Sequence, residues 1–493
     1  MNDLAVHLTD GKDKHLYEQI YEYIRDEIKG GKLLDGEKLP STRSLAEYLQ
    51  VSRSTVELAY DQLLSEGYIE SIPYKGYYIC RAEELYQLCL DPKMAGGIER
   101  IFDGRSMPGA AFPVGQSGGW EVQEKKKYEI DFSPNAIDMN AFPFGTWRRI
   151  TRETLNDDRK ELFFLGEPKG DAGLRLTICR YLHSSRGVNA SPEQIIVGAG
   201  NDYLLLLLQH ILGKEICVAF ENPSYRRAWR IFSSFAAKTV TVASDGNGMR
   251  VDSLREAGAD VAYCMPSRQY PTGTVMPIGR RMELLKWAKE AEQRYLIEDD
   301  YDSEFRYRGK PIPSLQASDR EGRVIYVGTF SKSIAPAIRI SFMVLPLKLL
   351  VQYEKNCAFF SSTVSRIDQT ILDEFIRSGA FERHLNKMRK LYKEKHDLLL
   401  EELRPLLTKY RLSGEYAGLH VLLTSCAVSE EEALVRMAAQ RGVRIYGMEE
   451  SALSPLEKGD GRHEGRPATL ILGYGGLDGE AIREGVRRLR EIL

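Results

Sequence analysis

The chain has 493 residues, of which 43% are hydrophobic and 28% are charged, and its formal net charge is −2. This length fits two or three globular domains, and the composition leaves no need for a fibrous or otherwise unusual class. Because the net charge is close to zero, nucleic-acid binding cannot be argued from the chain as a whole. Only the local placement of charge can support it.

Cysteine usage and the N-terminus indicate the compartment. The seven cysteines are an odd number without a C-x-x-C pair, which favours a reducing cytoplasm over a disulfide framework or a zinc site. Residues 1–15 lack the apolar run of a signal peptide, and the most apolar segment, 203–212, is far shorter than the ~20 residues of a membrane span. We therefore expect a soluble cytoplasmic protein with no membrane partner.

Residues 12–81 are predicted to form a winged helix-turn-helix domain. Apolar residues recur at helical spacing in three segments, and two β-type segments joined by a turn follow them. The helices and strands are predicted at 15–29, 40–49, 53–64, 67–72 and 76–80. Two helices joined by a tight turn make a helix-turn-helix, and the final hairpin is its wing.

The start of the third helix is predicted to enter the major groove of double-stranded DNA. Side chains predicted to face base edges are Ser52, Arg53, Ser54 and Thr55, and those predicted to contact phosphates are Arg43 and Lys75. The domain holds ten Lys and Arg against twelve acids, so the prediction depends on residues 51–56, which carry one arginine and no acid. A small protein-interaction module is the alternative. One such module covers little DNA, so we expect a dimer on paired half-sites.

Residues 82–127 are predicted to form a linker with partial order at most. Seven glycines fall between Gly96 and Gly119, and the charged run 121–127 follows. Such a linker lets the DNA-binding domain lie on the large domain of its own chain or of a partner chain. The sequence does not choose between the two.

From residue 128 to 493 helical and strand-like segments alternate, which is typical of a mostly parallel α/β sheet covered on both faces. A strand at 194–197 leads into a glycine-rich turn and a long apolar helix. Gly200 and Asn201 are predicted to contact a phosphate at this helix N-terminus, and glycines needed only for the turn are the alternative. Residues from about 379 to 493 are predicted to form a smaller α/β subdomain.

One lysine follows the apolar strand 324–327 and lies among small hydroxyl residues. The Lys332 amine can form a Schiff base with an aldehyde cofactor whose phosphate is held by Thr329, Ser331 and Arg339. A solvated lysine in a polar turn is the alternative.

A second candidate segment is a buried strand that starts at Tyr295 and ends in acids. Asp299 is the predicted partner of the pyridinium nitrogen of pyridoxal phosphate. The D-x-D pattern of Asp300 and Asp302 also suits a hard cation, although we predict no metal.

Four motifs together resemble fold type I aminotransferases, in the form found in MocR-type regulators. They are TFSKSIAPAIR with Lys332, EDDYDSEFRY with Asp299 and Tyr301, SRQYPTGTVMP, and ENPSYRRAW with Tyr225. The segment PSTRSLAEYLQVSRSTVELAYDQLLSEGYIES resembles the GntR-type winged helix-turn-helix that those regulators join to such a domain. The resemblance covers nearly the whole chain apart from the linker. It implies pyridoxal 5'-phosphate as the cofactor, with Tyr225 stacked on its ring and Arg227 at a carboxylate.

Three positions depart from the aminotransferase pattern. Tyr270 stands where catalytic aminotransferases carry an Asn on the cofactor's phenolic oxygen, a role that Tyr301 can take. Residues 163–166 replace a tyrosine that reaches the neighbouring subunit's phosphate, and 469–474 lacks an arginine used for an α-carboxylate. Alternative cations are Arg444, Arg462 and Arg466. These departures retain cofactor binding and put efficient amino-acid turnover in doubt.

We therefore predict a DNA-binding transcription regulator of MocR type. Its aminotransferase-like domain is expected to bind pyridoxal phosphate through Lys332 and to sense an amine or amino-acid effector, or the cofactor itself. A working aminotransferase with an appended DNA-binding module is the alternative from another class. A DNA-binding protein that has lost the cofactor is a third reading, and the intact Lys332, Asp299 and Arg339 disfavour it.

Overall fold

The computed structural model describes residues 15–30, 32–34, 36–65, 68–72, 75–79, 128–156, 158–236, 238–307, 313–455 and 467–493. These residues fall into two compact units, 15–79 and 128–493, each with its own hydrophobic core. The predicted linker, together with Arg462 and Arg466, lies outside the described residues. Within the described ranges, no helix combines the length and the apolar character needed to cross a membrane.

The first unit contains the predicted three helices and hairpin. Their bounds are α1 (Leu16–Lys29), α2 (Thr42–Leu49), α3 (Arg53–Ser65), β1 (Ile69–Ile72) and β2 (Gly76–Ile79). The Ser41 hydroxyl accepts a hydrogen bond from the Ser44 amide at 3.1 Å and so caps α2. Ile24 of α1 and Tyr60 of α3 are buried in the core that α1, α2, α3 and the hairpin share. This core holds α3 against the other two helices.

The second unit is built around a seven-stranded sheet with the order β4-β12-β11-β10-β9-β5-β6. Neighbouring strands are parallel except at β12, which is antiparallel to both β11 and β4. The strands are β4 (Ile195–Gly198), β5 (Cys217–Glu221), β6 (Lys238–Val242), β9 (Val261–Cys264), β10 (Tyr295–Asp300), β11 (Val324–Thr329) and β12 (Ser341–Val344); β7 (Ser244–Asp245) and β8 (Gly248–Met249) form a separate pair. The prediction of a mostly parallel sheet is confirmed.

Helices cover both faces of this sheet, as the nearly continuous apolar strands require. They are α4 (Phe144–Thr154), α5 (Ala172–Arg186), α6 (Asn201–Leu212), α7 (Arg226–Phe235), α8 (Val251–Glu256), α9 (Ile278–Lys289), α10 (Leu347–Asn356) and α11 (Arg366–Arg377). One core packs α6, α7 and α10 on Ile297 and Val327, and a second core on the opposite face packs α5 and α11 on Tyr326. Successive residues of a strand point to opposite faces, so both faces of the sheet are apolar.

A smaller sheet with the order β13-β14-β17-β16 follows the long helix α12 (Ala380–Leu403). Its elements are β13 (Tyr410–Ser413), β14 (His420–Val428), α13 (Glu431–Gln440), β16 (Tyr446–Gly447), β17 (Pro467–Gly473) and α14 (Gly479–Arg490). We call residues 380–493 the smaller subdomain. A short strand near the start of the second unit, β3 (Ile130–Asp131), pairs with β15 (Val443–Arg444) of this subdomain.

Candidate cofactor site and DNA-contacting surface

The carboxyl ends of β4, β10 and β11 meet at a cavity of about 140 Å³. These strands point the same way, so the segments that follow them converge at one edge of the sheet, where open α/β sheets place ligands. The lining residues are Asn135, Asn201, Asp202, Tyr225, Arg227, Met265, Tyr270, Asp299, Tyr301, Thr329, Ser331, Lys332 and Arg339. The structure therefore brings together nine of the ten predicted cofactor and effector residues.

Lys332 follows the end of β11 and is partly buried. Its Nζ donates a hydrogen bond to the carbonyl oxygen of Pro134 at 2.8 Å. Burial lowers the pKa of the Lys332 amine to about 8; the Asp302 charge opposes this shift and the Arg268 charge adds to it. Near neutral pH, a larger fraction of this amine is therefore unprotonated and nucleophilic than of an ordinary lysine.

Asp299 is buried at the end of β10, on the same sheet face as Tyr263 of β9. The Tyr263 hydroxyl donates a short hydrogen bond to Asp299 Oδ2. Asp299 Oδ1 is buried and has no hydrogen-bond partner among the described residues. Burial raises the pKa of the Asp299 carboxyl to about 7, the bond from Tyr263 opposes the rise, and the charges of Asp300 and Asp302 add to it.

The opposite end of the cavity has the features of an anion site. Gly200 precedes α6 with φ +91°, and a Cβ at this position would overlap the Arg339 guanidinium, so only glycine allows this approach. The backbone N–H groups at the start of α6 have no acceptor within the helix. Gly200 does not line the cavity, and its own N–H donates to Gly198 O at 2.8 Å. Thr329 Oγ1 accepts hydrogen bonds from the Ser331 amide and the Ser341 hydroxyl.

Two arginines at this end share one carboxylate. Arg227 Nη1 donates to Asp202 Oδ2 at 3.1 Å, and Arg339 Nη2 lies 3.6 Å from the same oxygen. Both guanidinium groups are exposed, so an incoming anion can reach them. Tyr225 lies edge-on to Tyr270, with ring centroids 6.4 Å apart.

The other acids of the D-x-D pattern are occupied by arginines. Asp300 points to the sheet face opposite Asp299, where its Oδ2 accepts hydrogen bonds from Arg186 at 2.8 Å and from Tyr326 at 2.5 Å. Asp302 Oδ2 accepts from Arg268 at 3.0 Å. No group of three or more His, Cys, Asp or Glu residues in the described parts of the chain could hold a metal ion.

Some residues of the site were not predicted from the sequence. Asn135, Asp202 and Met265 line the cavity, and Tyr263 bonds the buried acid. Only Tyr263 had a usable signal, because side-chain alternation along a β-strand can place a tyrosine beside an acid on the next strand. Arg444, an alternative cation in the sequence, does not line the cavity, and its guanidinium lies over the Tyr446 ring at 4.9 Å.

The predicted DNA-contacting residues lie on the surface of the first unit. The Ser52 hydroxyl accepts from the Thr55 amide at 3.2 Å, so it caps α3, and it also bonds the Ser54 hydroxyl. Arg53 pairs with Glu57 at 2.7 Å one helical turn later. The corresponding pair in α2 joins Arg43 to Glu47 at 3.2 Å, and Lys75 is exposed in the hairpin turn. These exposed pairs are weak enough for a phosphate or base to replace.

Comparison with known families assigns both units. Residues 16–79 match the family described as bacterial regulatory proteins, gntR family, and residues 130–462 match aminotransferase class I and II. Fold and site thus define a helix-turn-helix regulator with an aminotransferase-like domain. The chain belongs to the family of MocR-like HTH-type transcriptional regulators.

Relatives and solved structures agree with this assignment. The chain is 38% identical to the HTH-type transcriptional regulator YdeL of Bacillus subtilis, over 99% of each chain. It is 32% identical to the probable rhizopine catabolism regulatory protein MocR of Rhizobium meliloti, over 97% of this chain and 94% of that one. A Pyrococcus horikoshii kynurenine aminotransferase structure matches with a TM-score of 0.64 and 26% identity, over 81% of this chain and 98% of its own.

The class I and II aminotransferase fold family depends on pyridoxal phosphate, and the cavity suits that cofactor. The unpartnered Asp299 Oδ1 can accept a hydrogen bond from a protonated ring nitrogen. Asn201 lines the other end of the cavity at the start of α6, where its side-chain amide N–H group can donate to an anion. The Lys332 amine lies in the same cavity, where it can react with an aldehyde.

Buried acids make the stability of the second unit depend on pH. Burial raises the pKa of Glu221 to about 8 and those of Glu298, Asp299 and Glu304 to about 7. A carboxyl with a raised pKa holds its proton more tightly in the folded than in the unfolded chain. Each therefore contributes stability below its unfolded pKa that is lost as pH rises toward its folded pKa.

Replacing Asp299 by Asn should weaken this pH dependence, because the amide does not titrate. In cofactor-free protein, the free energy of unfolding of the second unit should fall less from pH 4 to pH 7 in Asp299→Asn than in wild type. We expect a difference of about 1–3 kcal/mol, measured by urea unfolding at several pH values. The exposed Asp158→Asn is the control. Equal pH dependence in Asp299→Asn and wild type would contradict a buried titrating carboxyl at 299.

Proposed function

We propose that this transcription regulator binds pyridoxal 5'-phosphate covalently at Lys332 and uses the loaded domain to sense a small amine or amino acid, or the cofactor itself. The observation that carries the proposal is the convergence of Lys332, Asp299 and Arg339 on one cavity. That cavity belongs to a chain whose first unit is a helix-turn-helix domain. Sensing and DNA binding are thus available in one polypeptide.

Each cavity residue is proposed to contact a different part of the cofactor. Bound pyridoxal phosphate supplies an aldehyde and an electron-withdrawing ring. In our proposal Lys332 provides the amine, Asp299 accepts a hydrogen bond from the ring nitrogen, and Tyr225 stacks on the ring. Tyr301 donates to the phenolic oxygen. The phosphate is held by Asn201, Thr329, Ser331 and Arg339, and the predicted role of Gly200 is limited to letting the Arg339 guanidinium approach.

Arg227 is the proposed contact for an effector carboxylate. Its planar guanidinium suits a two-pronged contact with such a group. It is exposed at the cavity and is paired with Asp202 at 3.1 Å, so an effector anion has to displace that carboxylate. An amine-bearing effector would react at the same place as the Lys332 amine and would therefore compete with it.

The regulator is proposed to act on double-stranded DNA as a homodimer that reads paired half-sites. A contiguous apolar segment supports a second copy, because Phe163, Phe164 and Leu165 are 72%, 70% and 90% exposed. Exposed apolar patches of this kind mark interaction surfaces. The proposed base contacts are Arg53, Ser54 and Thr55, with Ser52 both capping α3 and facing the DNA, and the proposed phosphate contacts are Arg43 and Lys75.

Substituting Lys332 by Ala should abolish covalent attachment of the cofactor, because the described residues that line the cavity include no other lysine. Protein incubated with pyridoxal phosphate and reduced with borohydride should gain the mass of one cofactor per wild-type chain and none in Lys332→Ala. The exposed Lys348→Ala, which keeps the cavity intact, should behave as wild type. An unchanged adduct in Lys332→Ala would move the attachment to another lysine.

Substituting Arg53 by Ala should reduce specific DNA binding by roughly 1–3 kcal/mol and relax preference at one or two base pairs. Lys75→Ala should weaken binding to all sequences alike and reduce its salt dependence, since a phosphate contact carries no sequence information. Selection from randomised DNA, followed by titration at several salt concentrations, separates the two effects. If Arg53→Ala behaves like Lys75→Ala, Arg53 contacts a phosphate instead of a base.

Effector and operator binding should be coupled. A coupling of about 1–3 kcal/mol would change DNA affinity by roughly 5–150-fold, and operator DNA must change effector affinity by the same factor. Titrating an amino acid into cofactor-loaded protein with and without operator measures the coupling, and keto-acid formation is followed in the same samples. Equal effector affinities together with many turnovers per site would favour a working aminotransferase with an appended DNA-binding domain.

A further inference from the structure

Arg268 contacts the residues around the cavity without lining it. It lies between β9 and α9 and is 2% exposed. Its Nη1 lies within hydrogen-bond distance of Tyr301 Oη at 3.2 Å, Asp302 Oδ2 at 3.0 Å and His420 Nδ1 at 3.3 Å, and these three acceptors share its two hydrogens. Its Nη2 donates to the His420 carbonyl oxygen at 2.9 Å. One side chain thus joins the end of β10 to β14 of the smaller subdomain.

The protonation of His420 follows from its two contacts. Nε2 lies 2.9 Å from the Pro271 carbonyl oxygen, which can only accept, so Nε2 carries the hydrogen. Nδ1 is then the acceptor for Arg268. Burial and the Arg268 charge hold the pKa of His420 well below its usual value, so the ring is neutral. His420 is therefore a neutral hydrogen-bond acceptor for Arg268.

The contact with Tyr301 fixes the direction of that hydroxyl's own hydrogen bond. A guanidinium donates and never accepts, so the Tyr301 oxygen is the acceptor in this contact. Its hydrogen remains available to a second acceptor. Tyr301 lines the cavity, so that acceptor can be an oxygen of a bound molecule.

We propose that Arg268 is a positioning residue that makes Tyr301 a hydrogen-bond donor to the phenolic oxygen of the cofactor and ties this arrangement to the seating of the smaller subdomain. The inference rests on the proposed binding of pyridoxal phosphate at Lys332. Tyr270 occupies the position of the asparagine that serves this oxygen in the aminotransferases the sequence resembles. Tyr301, directed by Arg268, takes over that hydrogen bond.

Gly418 of the smaller subdomain lies directly against the Arg268 guanidinium. Gly418 has φ +78°, and a Cβ there would overlap the Arg268 guanidinium. Gly414, four residues earlier in the same loop, has φ +77°, and a Cβ there would meet nothing closer than 3.9 Å. Alanine therefore strains the backbone similarly at both positions, but only Gly418→Ala pushes on Arg268. Comparing Gly418→Ala with Gly414→Ala therefore distinguishes the effect of displacing Arg268 from the effect of straining the loop backbone.

The test uses the full chain loaded with pyridoxal phosphate. The visible absorbance of the bound cofactor is recorded as a function of pH. The midpoint of this titration is the pH at which the nitrogen that links Lys332 to the cofactor is half protonated. A hydrogen bond from Tyr301 stabilises the anionic phenolic oxygen and lowers this midpoint. Among the groups around Lys332, Asp302 raises its pKa, Arg268 lowers it, and His420 is neutral. The charged or titratable residues that line the cavity with Lys332 are Asp299, Asp202, Arg227, Arg339, Tyr225, Tyr270 and Tyr301.

Gly418→Ala should raise the midpoint by about one pH unit, and Gly414→Ala should leave it at the wild-type value. Arg268→Met combined with Asp302→Asn removes the ion pair without changing the net charge and should raise the midpoint by a similar amount. In a Tyr301→Phe background, which itself raises the midpoint, Gly418→Ala should add no further shift. This lack of additivity is the signature of an effect that acts through Tyr301.

Two results would overturn the inference alone. One is a wild-type midpoint in both Gly418→Ala and the Arg268→Met, Asp302→Asn variant. The other is an additive shift of Gly418→Ala on Tyr301→Phe, which would mean that Arg268 acts on Lys332 directly. If wild-type protein forms no reducible adduct with pyridoxal phosphate, the proposed cofactor site fails, and the role of Arg268 fails with it.

Discussion

The site depends on the alternation of side chains along one buried strand. Because successive residues of β10 point to opposite faces, Asp299 faces the cavity while Asp300 lies on the other side with Arg186. Three consecutive acids at the end of a buried strand would otherwise repel one another. The sheet places neighbouring acids on opposite faces, and the residues on each face stabilise the acid that points to it. Asp300 is neutralised by an ion pair with Arg186, whereas Asp299 accepts a hydrogen bond from the Tyr263 hydroxyl and lines the cavity. The strand thus provides both a structural acid and an acid available to a ligand.

Features that follow from the order of residues along the chain were predictable. The helices of the first unit, the parallel sheet and the positions of Lys332 and Asp299 relative to strand ends all follow from apolar periodicity and motif spacing. Arg268 and Asp202 were not predictable, since their partners lie tens to more than a hundred residues away. Periodicity also says nothing about which oxygen of a buried acid remains unpaired. Ser52 was placed correctly at the start of α3, yet its capping bond was missed because a hydroxyl there can serve either role.

The charge at the anion end of the cavity is partly compensated by the protein itself. Asp202 lies between Arg227 and Arg339, so one carboxylate offsets part of the charge of the two arginines. A phosphate or carboxylate gains affinity here only to the extent that it bonds these arginines better than Asp202 does. The geometry and the charge of an anion therefore decide which anion binds here, more than the overall attraction to the two arginines does. A doubly charged phosphate competes better than a singly charged carboxylate, which allows one cluster to treat cofactor and effector differently.

The short pairing of β3 with β15 joins the start of the second unit to the smaller subdomain. Residues 128–131 are the first described residues after the linker, and they are joined to the smaller subdomain and not to the seven-stranded sheet. A rotation of the smaller subdomain would therefore carry residues 128–131 along with it. If the proposed effector drives such a rotation, the displacement would reach the start of the second unit without passing through the large sheet.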